Sequence, residues 1–157
     1  MPVPAPHPFP AEHLRERYAE AVGDAGKAKR LLEELTANPV ENALWLGYRA
    51  ATEALLAKFA PNVFAKLDWV KQAGQTFAKA VGLDAGSVEV RYLRFALQHH
   101  VPSFLGLNRN LEEDRQLIVS GLARSVLPAP VKQEIARFAL ASGRCTTDEA
   151  AQLETLS

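Results

Sequence analysis

Apolar residues recur at intervals of three and four from Ala11 to the end of the chain, and this period constrains the fold more than any other feature. The period matches the turn of an α-helix, and no stretch shows the sustained alternation of a half-buried strand. Proline, glycine and asparagine interrupt the pattern at intervals, as they do where helices end. The sequence therefore predicts an all-α protein with about seven or eight helices.

The interruptions divide the chain into antiparallel helix pairs with short connections. We expect a proline-rich extended leader at residues 1–10 and a single helical domain at residues 11–157. The predicted parts of this domain are helix hairpins at residues 11–39, 42–83 and 87–125, and C-terminal helices at residues 129–157. The hairpins would stack as a short right-handed α-solenoid or pack as an irregular bundle.

The predicted fourth helix carries the most regular apolar stripe of the chain. Its members follow one another at spacings of four and three, namely Val63, Leu67, Val70, Gly74, Phe77 and Val81. The connection at Pro61-Asn62 is very short, so the stripe is expected to pack against the third helix.

Helix starts are indicated by Asn42, which could cap a first turn, and by capping-box spacings. The two boxes pair Asn110 with Glu113 and Thr146 with Glu149. Gly143 is a predicted helix C-cap. The segment at residues 103–109 contains Phe104, Leu105 and Leu107, so it is too apolar for a solvated loop and is expected to fold back onto the core.

Composition and charge exclude several classes of function. Eighteen Lys and Arg balance eighteen Asp and Glu, which gives no global attraction to nucleic acid or to an anionic membrane. The single cysteine, Cys145, allows no internal disulfide, and the adjacent His99 and His100 point about 100° apart on a helix, which is poor geometry for one metal. No phosphate-binding glycine loop or nucleophile elbow is present. The sequence therefore indicates no cofactor or metal and favours a non-catalytic protein. The residues that follow Met1 show no signal-peptide pattern, so we expect the protein to be cytoplasmic.

A polar stripe on the predicted fifth helix is the candidate for chemistry. Arg91, Arg94 and Gln98 follow one another at spacings of three and four. Arginine forks bind carboxylates, so this stripe with Tyr48 could form a small-ligand or enzymatic pocket, enclosed by residues 101–107. The alternative is an internal network with acidic residues of the next helix, namely Glu112, Glu113 or Asp114.

Two segments resemble the tetratricopeptide repeat, a unit of two helices. The residues from Gly23 to Ala28, followed by Leu32, Leu35 and Pro39, resemble the turn and second helix of that family. The second helix of the family has a small residue, an aromatic residue four positions further on and another small residue, and Ala73, Phe77 and Ala80 reproduce this pattern. Trp45 follows Pro39 as the tryptophan of the family would. The register departs from the family, since Ala28 and Ala73 are 45 positions apart and Ala85 replaces the exit proline. An unrelated helical bundle is the alternative.

The resemblance implies a function in binding a peptide or protein segment on a concave face. The groove positions that it implies are His13, Arg17, Leu46, Tyr92 and His99. The phrase from Tyr92 to Gly106 also resembles small uncharacterised bacterial helical proteins, which implies no activity. A third possibility is a homodimer that buries the apolar segment and the final helices against a second copy.

Overall fold

The structure is a computed structural model that describes residues 9–38 and 40–157. Within these residues it contains α-helices, one short 3₁₀ turn and no strand, which confirms the all-α prediction. The helices are α1 Ala11–Ala21, α2 Ala25–Ala37, α3 Ala43–Phe59, α4 Val63–Leu83, α5 Val88–His100, α6 Leu111–Gly121, α7 Ala129–Ala141 and α8 Thr147–Glu154. None of these helices is long and apolar enough to cross a membrane.

The chain forms two compact units, of which the first ends at Leu83 and the second comprises Asp84–Ser157. The prediction of a single domain stays a prediction. Most of the predicted leader lies outside the described residues. Its penultimate residue, Phe9, stacks on the ring of Trp45, with the ring centroids 5.8 Å apart.

Helix α3 is the centre of the first unit, because α1, α2 and α4 all pack against it. Asn42 caps its first turn by accepting a hydrogen bond from the Trp45 backbone at 3.1 Å, as predicted. The Trp45 side chain is fully buried, and its indole donates to the Leu35 carbonyl at 3.2 Å. Gly47 and Ala50 are both buried on α3, and α4 packs along this helix.

Helix α4 buries a different face from the predicted one. Its buried residues are Ala73, Thr76, Phe77 and Ala80. Of the predicted stripe only Phe77 is fully buried, and Val63 is 74% exposed, so the expectation of a buried Val63 was wrong. Alanines allow the closest helix approach, so α4 turns Ala73 and Ala80 towards α3 and carries the larger stripe residues to its side.

The second unit has its own core, formed where α5, α6, α7 and α8 meet. Its fully buried large side chains are Phe95, Ile118, Leu122, Ile135 and Leu153. The capping box of Thr146 and Glu149 opens α8, and Gly143 follows α7 with a φ of 72°, so both predictions are confirmed. A left-handed φ of this kind suits glycine best.

Two local predictions in the second unit were wrong. Asn110 is the N-cap residue of α6, but its side chain makes no capping bond, because it accepts from Gln98 instead. The segment after α5 does not fold back, since Phe104 is 85% exposed. A tight 3₁₀ turn at Ser103–Leu105, closed by Gly106 at a φ of 67°, reverses the chain before these side chains can reach the core.

Candidate functional site

The predicted site residues fall into both units, and each group is described by itself. Arg17 and Tyr48 belong to the first unit, while the other five lie on α5 in the second. These five are Arg91, Tyr92, Arg94, Gln98 and His99. The pocket predicted to join Tyr48 to the α5 residues stays a prediction.

Arg91 and Arg94 bind acidic residues of α6. The Nη1 of Arg91 donates to Glu113 and, at 3.0 Å, to Asp114. Its Nε and Nη2 both donate to the Ala85 carbonyl. Arg94 donates two hydrogen bonds to the carboxylate of Asp114, from Nε at 2.8 Å and from Nη2 at 2.7 Å. The internal network, one of the two interpretations of the sequence, is therefore present.

The charges of this network cancel, because two guanidinium groups meet two carboxylates. Burial lowers the pKa of Arg91, but its hydrogen bonds to Asp114 and Glu113 outweigh burial and raise it. The hydrogen bond from Arg91 also lowers the pKa of Glu113. An acidic ligand would have to displace carboxylates that are already bound, which counts against the predicted ligand site at these arginines.

Gln98 extends the same network towards the start of α6. Its side-chain amide donates to the Oδ1 of Asn110 at 3.0 Å and accepts from the Asn110 backbone at 2.8 Å. Both hydrogen-bonding ends of the buried amide are therefore satisfied inside the unit. Gln98 holds the chain before α6 in place, and its contact with a ligand stays a prediction.

Arg17 and Tyr48 also have partners within the first unit. Arg17 makes a two-pronged pair with Glu34, at 2.9 and 3.0 Å, and this hydrogen bond lowers the pKa of Glu34. The guanidinium of Arg17 also lies 5.3 Å from the ring centre of Phe9. Tyr48 is buried, with its ring edge-on to Tyr18. Arg17 is half-buried and keeps some access to solvent, whereas Tyr48 has almost none.

Tyr92 and His99 lie together on a patch of rings at the surface of the second unit. Both contact Phe138 of α7 edge-on, with ring centroids 5.6 and 5.8 Å away. His100 contacts the same ring at 6.3 Å, and the buried Phe95 lies beneath. Tyr92, His99 and Phe138 are half-buried, and His100 is exposed. We call Tyr92, His99, His100 and Phe138 the aromatic patch.

The side chain of Arg144 selects the tautomer of His99. Its Nε donates to the Nδ1 of His99 at 3.0 Å, so Nδ1 is the acceptor and Nε2 carries the hydrogen of the neutral ring. Burial, then the positive charge of Arg144, then His100 lower the pKa of His99. The patch therefore offers aromatic edges, a neutral N–H donor and a neighbouring exposed cation.

Sequence reasoning found part of this patch and missed the rest. Tyr92, Phe95 and His99 share a helix face at spacings of three and four, which the sequence shows. Neither Phe138 nor Arg144 was predicted as a site residue. Arg144 lies 45 positions from His99, and no local signal joins the two.

No arrangement for a metal ion is found among the residues that the structure describes, where no three His, Cys, Asp or Glu side chains cluster suitably. Cys145 is half-buried, and its Sγ donates to the Ala139 carbonyl at 3.5 Å. Burial raises the pKa of this thiol, which keeps it protonated and a weak nucleophile.

No protein-family model, curated protein or solved structure matches this chain. The tetratricopeptide-like classification accordingly stays a prediction.

Proposed function

We propose that this protein is a non-catalytic interaction module that binds a peptide segment of a partner protein on the aromatic patch. The observation that supports the proposal is the grouping of four partly or fully accessible rings from two helices, beside the exposed guanidinium of Arg144. Rings held by neighbouring helices bind with little loss of side-chain entropy, because their rotamers are already restricted.

The chemistry of the patch favours a segment with an apolar side chain next to a carboxylate. The apolar side chain would pack on Tyr92 and Phe138, which supply aromatic area of the kind enriched at binding hot spots. The Nε2–H of His99 would donate to a backbone carbonyl of the peptide. Arg144 would bind the carboxylate with the donors that it does not use for His99.

The helical-repeat classification is part of this proposal. The other groove positions that the tetratricopeptide resemblance implies, His13, Arg17 and Leu46, are all half-buried, as side chains lining a groove would be. The predicted cytoplasmic location is kept. The homodimer that the sequence left open would bury the apolar segment and the final helices against a second copy. Phe138 lies on one of those helices, α7, so a second copy seated there would contradict peptide binding on the patch.

The test is a selection of peptides from a random displayed library against the purified full chain. Enriched peptides are then measured by fluorescence anisotropy against His100→Ala and Arg144→Ala, two changes at exposed side chains. We expect each change to weaken binding about fivefold or more, as at ordinary hot spots. The matched control is Arg124→Ala, which removes an exposed arginine of the same unit and should leave affinity unchanged.

Two results would contradict the proposal. One is a library from which no peptide is enriched. The other is an enriched peptide that binds the His100 and Arg144 variants as tightly as the parent chain. Light scattering over a range of protein concentrations shows whether a second copy occupies the patch. In that case the apparent molecular mass would increase with concentration, and Arg144→Ala would lower it.

A further inference from the structure

Helix α4 begins with an apolar surface that the first unit leaves open. Val63 is 74% exposed and Phe64 is 81% exposed, while Leu67 and Val70 are half-buried. We call these four residues the α4 face. Large apolar side chains grouped on one surface of a monomer are a common mark of a protein contact.

The α4 face is held in a formed helix. The side chain of Asn62 accepts a hydrogen bond from the Ala65 backbone at 2.9 Å, and its carbonyl accepts from Lys66 at 3.0 Å. These bonds satisfy donors of the first turn, which would otherwise fray. The apolar residues are therefore presented on a rigid surface, and a partner would bind them without ordering the chain first.

The spacing of the face fits a helical partner. Val63, Leu67 and Val70 follow one another at four and three positions, the spacing by which the seam of a coiled coil is formed. An amphipathic helix matches such a seam with side chains at the same spacing. A strand has a period of two and would match it poorly.

The charged residues nearest the stripe of Val63, Leu67 and Val70 are both positive. At about 100° per residue, Lys66 and Lys71 lie on opposite sides of the stripe, each within a right angle of it. Both are exposed, and neither forms an ion pair with any described residue. Asp68, the acidic residue of these turns, lies more than a right angle from that stripe, on the far side of Phe64. The positive end of the helix dipole lies at the same place.

We propose that the α4 face is a second docking surface, which binds an amphipathic helix of a partner protein whose apolar stripe is flanked by acidic residues. A second copy of this chain fits less well, because it would bring the same two lysines to the seam. This site lies in the first unit and does not depend on the aromatic patch of the second.

The test uses two synthetic helical peptides of equal length and the same apolar stripe. One has glutamate at the flanking positions and the other has lysine. We expect the full chain to bind the glutamate peptide about tenfold more tightly than the lysine peptide at low salt. Each exposed ion pair contributes little by itself, but several would act together. The difference should shrink as salt is added.

Variants of the chain show whether the peptides occupy the proposed face. Phe64→Ser should weaken the glutamate peptide about tenfold, because burial of one phenylalanine is lost. Phe104→Ser is the matched control, since Phe104 is 85% exposed and lies in the other unit, and it should change nothing.

A double charge reversal tests the basic flanks. Lys66→Glu with Lys71→Glu should reverse the preference between the two peptides. Lys29→Glu with Lys79→Glu changes net charge equally at exposed positions and should preserve the preference. All variants alter exposed side chains, and circular dichroism should show unchanged melting.

Several outcomes would overturn the inference. The inference is wrong if the chain binds the two peptides with equal affinity or binds neither. It is also wrong if Phe64→Ser and its control Phe104→Ser lose the same amount of affinity. Concentration-dependent dimerisation that Phe64→Ser abolishes would instead assign the face to a second copy, and the proposal would be wrong.

Discussion

Replacing Asp114 with alanine should destabilise the second unit strongly. The carboxylate is completely buried and accepts three hydrogen bonds from Arg91 and Arg94, at 3.0, 2.8 and 2.7 Å. The two arginine side chains are only 8% and 6% exposed, so the substitution leaves buried positive charge without its main partner. Breaking a buried ion pair in this way costs about 3–5 kcal/mol.

Because Glu113 also binds the arginines, we expect the loss of unfolding free energy to be about 3 kcal/mol, the lower end of that range. The side chain of Glu113 is 55% exposed, binds Arg91 and lies 3.5 Å from Arg94, so it retains part of the attraction. We therefore expect Asp114→Ala to reduce the free energy of unfolding by about 3 kcal/mol. Asp114→Asn keeps the shape and one accepting oxygen, and should lose about half as much.

The assay is native-state hydrogen exchange on the amides of α5 and α6. It reports opening of the second unit even if the first unfolds separately. Glu134→Ala is the control, because Glu134 is an exposed acidic residue of the same unit. A loss below about 1 kcal/mol for Asp114→Ala, or one equal to that of the control, would refute the argument that the buried network supports this unit.

Four further changes have expected signs. The second unit should lose stability as the pH falls below 6.5, because burial depresses the pKa of His99 and the unfolded chain takes up the proton first; His99→Gln should remove this dependence in urea titrations from about pH 7.5 to 5.5. Gly121→Ala places a Cβ 2.9 Å from Val88 Cγ2 and should cost about 1–3 kcal/mol in urea unfolding. Gly143→Ala should cost about 1 kcal/mol, because φ is 72° there. Gly74→Ala should raise the melting temperature, since its Cβ meets nothing within 4 Å and alanine favours helix by about 1 kcal/mol; a lower melting temperature would contradict this.

Local signals predicted helix boundaries best where a cap and a breaker coincide. Helix α5 begins where the hairpin predicted at residues 87–125 begins, because Ser87 caps it, and it ends at Val101-Pro102. Within the hairpin predicted at residues 11–39, helix α2 begins at Ala25, since Asp24 is its N-cap and accepts from Lys27.

Periodicity predicted that α4 is amphipathic but not which side of it is covered. The decision depends on how closely two helices approach, and Ala73 and Ala80 allow a closer contact than Val63 and Leu67 would. That choice arises from the packing of both helices together. The apolar stripe of one helix does not show how small the facing residues of the neighbouring helix are.

The candidate site was predictable only within a single helix. Spacing placed Tyr92 and His99 on one side of α5, and the acidic start of α6 supplied partners for Arg91. Spacing could not choose among the three acidic residues proposed for the network. Asp114 is the buried one, while Glu112 lies 3.7 Å from Arg115. The contact of Arg144 with His99 depends on the tertiary path of the chain.

The central claim is that a peptide segment binds the aromatic patch of the second unit. At 17.2 kDa the chain is small enough for amide-resolved NMR, so a ¹⁵N-labelled sample can be titrated with a selected peptide. We predict shift changes concentrated at residues 92–100 and 138–144. Changes confined to α1 through α4, or none at saturating peptide, would contradict the claim.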